Sequence, residues 1–323
     1  MIILLTSGDS LSGGAGTYAS ALSSAFPDVN IASNKEGLSD FYVPGFSKVP
    51  NFSSVMAMRE IIKSKQCQTI ICQSTGSLLM SIILRVMFPR LRIINVYHGL
   101  ASGYEGLHLR ILEIISAFFS TKVVVTNLSD GRKIFNKKKQ VYIPNCTTKD
   151  GVGGVPDMAG PVISVTRWSR QKNNSLLKEF FKISDINFYI YSKKSDHESF
   201  KSIFSSDKQL CLYASSKHQI YNNKSVFILS TYSEGFPLSV LEAASAGIPI
   251  VVSKIDLLID LLGDNAQYFS TASELKEITD KLRCNQSYFD EWSKRSLQLS
   301  KEYSWERWRD NWSELLDSVT TTK

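Results

Sequence analysis

The chain has 323 residues, of which 43% are hydrophobic and 21% charged, a composition typical of a globular protein with room for two domains. No apolar run is long enough to span a bilayer, and Ile2–Leu5 lacks the basic flank of a signal peptide, which predicts a cytoplasmic protein. The net charge of +7 favours an anionic substrate or an anionic membrane surface as a partner, since no nucleic-acid-binding motif accompanies it.

The cysteines indicate neither a metal site nor a disulfide framework. Their spacing does not match that of metal ligands, and reduced thiols are the simpler expectation. They are Cys67, Cys72, Cys146, Cys211 and Cys284.

The N-terminal segment predicts a strand, a glycine-rich loop and a helix. Ile2–Thr6 reads as a short buried strand, Ser7–Gly16 as the loop and Thr17–Ala25 as the helix. Glycines at such a bend let the backbone approach an anion closely, so the loop is a candidate anion site.

Two other interpretations of the glycine loop stay open. It could be a flexible loop without a function, or it could bind a dinucleotide. Gly14-x-Gly16-x-x-Ala19 fits the loose dinucleotide-binding pattern, and Glu36 lies at a plausible distance for a ribose contact. That interpretation would indicate a nicotinamide-dependent oxidoreductase.

The rest of the N-terminal half alternates strands and helices, which predicts a parallel sheet. The strands are predicted at Thr69–Cys72, Arg92–Tyr97 and Lys122–Thr126, and the helices at Ser54–Ser64, Ser77–Phe88 and Gly106–Ser120. His98 directly follows a strand, where ligands bind in open α/β sheets, although a lone histidine is usually structural.

A basic cluster follows the last of these strands. It comprises Arg132, Lys133, Lys137, Lys138 and Lys139. Most such runs are solvated surface. The alternative is contact with anionic lipid headgroups, assisted by the neighbouring apolar helices.

The second half begins after Cys146–Gly160, a segment rich in Gly, Thr and Pro that predicts an interdomain linker. The strand Val162–Thr166 follows, and Arg167 and Lys172 lie in the loop after it. A planar guanidinium and an ammonium five residues apart can converge on one diphosphate, whereas basic loop residues taken singly are ordinarily solvated.

The most informative segment predicts one strand–helix–strand unit. Val226–Leu229 and Ile248–Val252 read as strands, and Pro237 suits the first turn of the helix between them. The helix start would direct N–H groups at an anion near the carboxyl ends of the strands. Glu234 in the loop and Glu242 on the helix could accept hydrogen bonds from hydroxyl groups, although each taken alone is by default a solvated glutamate.

The C-terminal segment is predominantly helical. Ala272–Ser300 predicts one long helix, and Trp305, Trp308 and Trp312 are expected to pack rather than to bind a ligand.

The residues EGFPLSVLEAASAGIPIV, from Glu234 to Val251, resemble the signature of the retaining glycosyltransferases of family four. That signature is Glu, seven residues and Glu, with Gly-Phe after the first Glu and Glu-Ala followed by Ala-x-Gly-x-Pro after the second. The N-terminal glycines and the Arg-x4-Lys-Asn segment are similar to the family's as well. The Gly-Gly-x-x-Glu segment that many members carry after the second strand is missing, and Asp260 stands near the place of its acid.

The resemblance implies the GT-B fold, in which two Rossmann-like α/β domains with parallel sheets face each other across a cleft. Residues 1–150 would form the N-terminal acceptor domain and residues 151–303 the C-terminal domain for the nucleotide-sugar donor. Residues 304–323 would form a helix that returns to the N-terminal domain. No metal is expected at the diphosphate, since the chain has no Asp-x-Asp pair. No other cofactor is expected either, because the nucleotide diphosphate sugar is the donor substrate.

The resemblance also implies site roles. Glu242 would bind ribose hydroxyls, Glu234 would orient the hydroxyls of the donor sugar, and His98 would face that sugar. Arg167 and Lys172 would neutralise the leaving diphosphate. Backbone contacts to the diphosphate would come from Gly13, Gly14, Gly16, Gly235, Phe236, Pro237 and Leu238.

These roles imply retaining transfer of a sugar from a UDP- or GDP-sugar to a glycan or lipid-linked acceptor. The setting would be the biosynthesis of a bacterial surface polysaccharide (O-antigen, lipopolysaccharide or capsule) at the inner face of the cell membrane. A nicotinamide-dependent oxidoreductase is the alternative from another class, but it leaves Glu234 and Glu242 unexplained. A GT-B phosphorylase, an epimerase or a non-catalytic sugar-binding protein would keep the fold.

Overall fold

The computed structural model describes residues 1–7, 14–37, 39–99, 107–133, 137–214 and 216–321. The chain forms two compact units. The N-terminal unit comprises Met1–Asn145 together with Glu306–Lys323, and the C-terminal unit comprises Cys146–Trp305.

The N-terminal unit contains a parallel sheet in the order β3-β2-β1-β4-β5-β6-β7. Its strands are β1 (Ile2–Leu5), β2 (Val29–Ser33), β3 (Phe41–Tyr42), β4 (Thr69–Cys72), β5 (Arg92–Tyr97), β6 (Lys122–Val125) and β7 (Gln140–Tyr142). Ile3 of β1 lies opposite Asn30 on one side and Ile70 on the other. The strand order reverses at β1, and the carboxyl ends of β1 and β4 mark the point where an open α/β sheet binds ligands.

Helices connect these strands: α1 (Gly14–Ala25), α2 (Phe52–Ser64), α3 (Thr75–Met87), α4 (Leu107–Phe119) and α5 (Leu128–Lys133). The start of α3 is defined by a capping box, in which the side chains of Ser74 and Ser77 each accept from the other residue's backbone N–H. Gly76 in its first turn is required by packing, because a Cβ there would lie 2.0 Å from the carbonyl oxygen of Ser47.

The C-terminal unit contains a second parallel sheet in the order β10-β9-β8-β11-β12-β13. Its strands are β8 (Val162–Val165), β9 (Phe188–Tyr191), β10 (Gln209–Leu212), β11 (Phe227–Leu229), β12 (Ile250–Ser253) and β13 (Gln267–Phe269). Here the order reverses between β8 and β11, so the loops after these two strands meet at the switch point of the sheet.

The helices of this unit are α6 (Asn174–Ile183), α7 (His197–Lys201), α8 (Lys217–Tyr221), α9 (Leu238–Ser245), α10 (Asp256–Leu262), α11 (Ala272–Cys284) and α12 (Gln286–Glu302). The prediction of one long helix over Ala272–Ser300 was wrong. The helix is interrupted at Asn285, whose side chain accepts a hydrogen bond from Tyr288 N at 3.0 Å and caps α12.

The last helix, α13 (Trp305–Thr321), places two buried tryptophans in the N-terminal unit. Trp312 donates its indole N–H to the hydroxyl of Tyr18 at 2.9 Å, and Trp308 packs edge-on against the same ring at 5.4 Å. The tryptophans are therefore core residues of that unit, where each ring buries a large apolar area.

No helix in the described part of the chain combines the length and the apolarity needed to cross a membrane.

Candidate functional site

Two loops of the C-terminal unit are bridged at the switch point of its sheet. One follows β8 and contains residues 166–173, and the other follows β11 and contains residues 230–237. Tyr232 N donates to the carbonyl of Gln171 at 2.9 Å, and Asn173 N donates to the carbonyl of Ser230 at 3.2 Å. The backbone bonds hold the two loops side by side, so side chains distant in sequence can act at one place.

Lys172 and Glu234 form an ion pair across these loops, with both side chains only 10% exposed. The sequence placed these residues in separate loops, and the structure joins them. A partly buried pair interacts more strongly than a surface pair because less water screens it. The ammonium is therefore held in a defined position beside the carboxylate.

Arg167 lies near the start of the loop that follows β8 and is exposed. Its guanidinium donates to Gln171 Oε1 at 3.2 Å, and the Gln171 amide donates to the carbonyl of Ser233 at 2.6 Å. Gln171 thus orients Arg167 and connects it to the loop of Glu234. Sequence reasoning missed Gln171, since nothing in its sequence neighbourhood predicts the second loop as its partner.

Helix α9 begins beside this pair. Pro237 precedes its first residue in an extended conformation, and no side chain caps the helix start. Such a start presents N–H groups and a positive dipole end, which suit an anion. Phe236 is buried and its ring packs against Tyr303 at 4.9 Å. The Phe236 side chain is therefore occupied by packing, and contact with a ligand is left to its main chain. Gly235, Pro237 and Leu238 lie on either side of it at the helix start.

Glu242 on α9 has partners of its own. Its Oε2 accepts from the Tyr221 hydroxyl at 2.8 Å, and its Oε1 pairs with the Lys217 ammonium at 2.6 Å. Burial, and next the negative charge of Glu242, raise the pKa of Tyr221, so its hydroxyl stays protonated and donates. The structure does not bring Glu242 into the Lys172–Glu234 pair.

Sequence reasoning also missed Tyr221 and Lys217. A signal was present, because residues four apart on a helix share a face and Lys217 and Tyr221 have that spacing on α8. The sequence did not indicate which carboxylate the face would meet.

In the N-terminal unit, His98 lies directly after β5. Its Nε2 is 3.1 Å from Gln73 Oε1, and its ring packs edge-on against Tyr18 at 4.6 Å. The Gln73 amide nitrogen donates to the carbonyl of Ala15 at 2.9 Å, so the amide oxygen must face the imidazole. His98 Nε2 therefore carries the proton and Nδ1 is left as an acceptor.

Burial lowers the pKa of His98 to about 4, so the ring is neutral near pH 7. A cavity of about 200 Å³ lies beside it, also lined by Lys48, Gln73 and Ser74. A neutral imidazole in this position can accept a hydrogen bond or stabilise a nearby positive charge without repelling it.

The glycine segment differs in part from its prediction. Gly14 and Gly16 lie in the first turn of α1, not in a loop before it, so the predicted helix start at Thr17 was wrong. The carbonyl of Ala15 between them accepts from Gln73. Gly13 lies outside the described residues.

No group of three or more His, Cys, Asp or Glu side chains that could hold a metal ion occurs in the described ranges of the chain.

The C-terminal unit matches a known family. Residues 145–284 match the family model described as "Glycosyl transferases group 1". The O-antigen biosynthesis glycosyltransferase WbnH of Escherichia coli is 24% identical over 236 residues, which cover 70% of each chain.

Two solved structures share the fold over nearly the whole chain. Sucrose-phosphate synthase from Thermosynechococcus elongatus superposes with a TM-score of 0.83 at 14% identity, covering 100% of this chain and 99% of the other. HepE of Anabaena, solved in complex with UDP and glucose, superposes with a TM-score of 0.82 at 13% identity and covers 98% and 99%. The two parallel-sheet units confirm the predicted GT-B fold. The chain thus has the GT-B fold, and the match of its C-terminal unit to the group 1 glycosyl transferases supports a glycosyltransferase.

Proposed function

We propose that the protein is a retaining glycosyltransferase that moves a sugar from a nucleotide diphosphate sugar to a glycan or lipid-linked acceptor. The observation that carries the proposal is the Lys172–Glu234 ion pair on two bridged loops at the sheet's switch point. Gln171 binds Arg167 and also the carbonyl of Ser233 in the second loop, so Arg167 is held close to this pair of loops. Two cations suit a diphosphate, and a carboxylate suits sugar hydroxyls.

The chemical barrier lies in breaking the bond between the sugar and the diphosphate, because negative charge builds on the leaving oxygens. Arg167, Lys172 and the uncapped start of α9 would stabilise that charge from fixed positions. We also propose a contact between the diphosphate and the backbone near Gly14 and Gly16, in the first turn of α1. These protein groups, and no cofactor, would stabilise the negative charge of the leaving diphosphate.

Glu234 would orient the hydroxyls of the donor sugar. Its carboxylate would accept hydrogen bonds from these hydroxyls and give up part of its interaction with Lys172. Glu242, held by Tyr221 and Lys217, would accept from the ribose hydroxyls. For retention we favour attack on the face that the diphosphate leaves, with the diphosphate accepting the acceptor's proton. A covalent intermediate on Glu234 is the competing route.

For His98 we propose contact with the donor sugar. Its low pKa keeps the imidazole neutral, so the ring would not repel the positive charge that develops on the sugar as the bond breaks. The orientation imposed by Gln73 would leave Nδ1 as the accepting atom.

The name of WbnH supports a role in the biosynthesis of bacterial O-antigen or a similar surface polysaccharide, and the complex of HepE with UDP and glucose supports a UDP-sugar donor. GDP-sugars remain the second candidate. We propose a cytoplasmic protein bound peripherally at the inner face of the cell membrane, where a lipid-linked acceptor would be available.

A thermal-shift panel tests the donor class. UDP, GDP, their sugars, NAD(H) and NADP(H) would be added to the wild type, to Lys172→Ala and to the control Lys178→Ala, whose side chain is exposed on α6. A ligand at a hundred times its dissociation constant adds about 2.7 kcal/mol to the free energy of unfolding. We expect a shift with UDP or GDP that Lys172→Ala loses and Lys178→Ala keeps.

A shift with a nicotinamide cofactor alone would overturn the proposal and favour the oxidoreductase. Transfer to water or phosphate instead of a glycan would favour a hydrolase or phosphorylase. The anomeric configuration of the product, read by NMR, separates retention from inversion.

A further inference from the structure

Helix α4 (Leu107–Phe119) of the N-terminal unit has its apolar side turned outward. Ile111, Ile114, Ile115 and Phe118 are exposed, Phe118 to 70%. The side that faces the core carries the buried residues Glu113, Ser116 and Ala117, and one large apolar residue, Leu109, is buried with them. A surface helix normally does the reverse and buries its apolar stripe.

Hydrogen bonds from β5 hold α4 in this inverted orientation. The Tyr97 hydroxyl lies 3.0 Å from the carbonyl of Glu113 and 2.7 Å from Ser116 Oγ, and the Asn95 amide donates to the carbonyl of Ser116 at 3.0 Å. Rotating α4 to bury its isoleucines would leave these buried polar groups without partners, which costs about 1–3 kcal/mol for each group. The outward apolar side is therefore a stable feature of the fold.

The apolar surface continues onto the end of α3. Val86 and Met87 there are exposed, Val86 to 69%. Arg85 Nε donates to the carbonyl of Phe119 at 2.8 Å, which joins the ends of α3 and α4. We call the combined surface the α3–α4 face, and it comprises Val86, Met87, Ile111, Ile114, Ile115 and Phe118.

The border of the α3–α4 face is basic. The Lys139 ammonium donates to the carbonyls of Phe118 and Ser120 at 2.7 Å each and lies 5.8 Å from the centre of the Phe118 ring. Lys137 and Lys138 in the same short 3-10 turn are exposed, as is Arg110 on α4. Within the described ranges of α3, α4 and this turn, the single carboxylate is the buried Glu113.

We propose that the α3–α4 face docks on an anionic lipid bilayer, with α4 in the plane of the interface and its isoleucines and Phe118 among the acyl chains. An exposed contiguous apolar surface marks an interaction site, and a helix that lies on a membrane presents apolar residues to lipid and basic residues to the headgroups. The basic border complements anionic headgroups specifically, because each basic residue near such a surface adds attraction.

This inference names the surface by which the protein would bind the membrane. It rests on the proposed function only in one respect, namely that the bilayer would supply the lipid-linked acceptor. It is tested without donor or acceptor, so that its failure would leave the transferase proposal standing.

The experiment is cosedimentation of the full chain with vesicles of two compositions. One is phosphatidylcholine alone, and the other contains about 30% phosphatidylglycerol, which gives the surface a strong negative charge. The wild type should bind the anionic vesicles and lose binding as salt rises. Ile115→Ser with Phe118→Ser should lower the partition coefficient at least about tenfold, because two apolar side chains leave the lipid. Lys137→Gln with Lys138→Gln should lower it about fivefold for each charge.

Matched controls come from the C-terminal unit. Val155→Ser with Ile183→Ser removes two exposed apolar side chains, and Lys178→Gln with Lys182→Gln removes two exposed charges. These variants should bind as the wild type does. Thermal melts verify that every variant is folded, and the salt and lipid dependence of the wild type tests the proposal even if a variant fails to fold.

Equal binding to neutral and anionic vesicles would overturn the inference. Undiminished binding by both Ile115→Ser with Phe118→Ser and Lys137→Gln with Lys138→Gln would also overturn it. A dimer in solution that Ile115→Ser with Phe118→Ser dissociates, without vesicle binding, would reassign the face to an interface between copies of this chain.

Discussion

Lys172 and Glu234 form a nearly buried ion pair although 62 residues separate them in the chain. The pair exists because β8 and β11 are neighbours at the switch point and their loops are bridged by backbone hydrogen bonds. In the protein without ligand, Glu234 compensates the charge of Lys172. A bound diphosphate sugar would offer Lys172 a second anion and Glu234 a set of hydroxyls, so binding would redistribute the partners of both side chains.

Glu234→Gln should separate diphosphate binding from sugar transfer. Removing the carboxylate leaves the Lys172 ammonium with no competing anion, so the free nucleotide diphosphate should bind as tightly as before or more tightly. Transfer should fall about 100- to 1000-fold, the usual loss when one positioned transition-state contact is removed. Calorimetry with the nucleotide and steady-state kinetics measure the two effects, and a large loss of nucleotide affinity would contradict this account of the pair.

Tyr221→Phe should destabilise the C-terminal unit and weaken donor binding. The change removes a donor from Glu242, whose side chain is only 13% exposed, and an unsatisfied buried acceptor costs about 1–3 kcal/mol. Urea unfolding measures the stability and titration with the donor measures the affinity. Tyr213→Phe is the control, since Tyr213 is exposed and its variant should match the wild type. Unchanged stability of Tyr221→Phe would argue against a structural role for this hydrogen bond.

His98 should make stability depend on pH between about 6.5 and 4. The folded state holds the pKa of His98 at about 4, below the unfolded value of about 6.5. The unfolded chain therefore binds the proton first as the pH falls, and the free energy of unfolding decreases through this range by at most about 3 kcal/mol.

The measurement is urea unfolding at several pH values for the wild type and for His98→Gln. The variant should lose part of this pH dependence. Identical pH profiles for the wild type and His98→Gln would show that the neutral ring makes no contribution of this kind.

Trp312→Ala should destabilise the N-terminal unit strongly. Trp312 is fully buried, and its indole donates to Tyr18, the residue that packs against His98. Removing the ring leaves a cavity, and such changes cost about 3–5 kcal/mol. Phe52→Ala removes an exposed ring of the same unit and should change stability by less than about 0.5 kcal/mol. A small loss for Trp312→Ala in a thermal or urea melt would mean that α13 contributes little to the unit.

The general fold could be predicted from sequence because its signals are local. Short apolar strands that alternate with helices predict parallel sheets, and the Glu234–Glu242 segment carried a resemblance to a family with the GT-B fold. Two local predictions failed for local reasons. Gly14 and Gly16 begin a helix despite their flexibility, and Asn285 ends one helix and caps the next where the apolar pattern runs on.

The sequence by itself determined the alternation of strands and helices, the basic charge and the residue types available for a diphosphate and a sugar. Only the tertiary structure decided which residues are partners: Lys172 with Glu234, Tyr221 and Lys217 with Glu242, and Gln73 with His98. It also decided that α4 turns its isoleucines outward, since Asn95 and Tyr97 bind its polar side. The physical reason is common to all of these. Periodicity along a chain shows that a helix has two sides, whereas the side that is buried depends on hydrogen bonds and packing with residues remote in sequence.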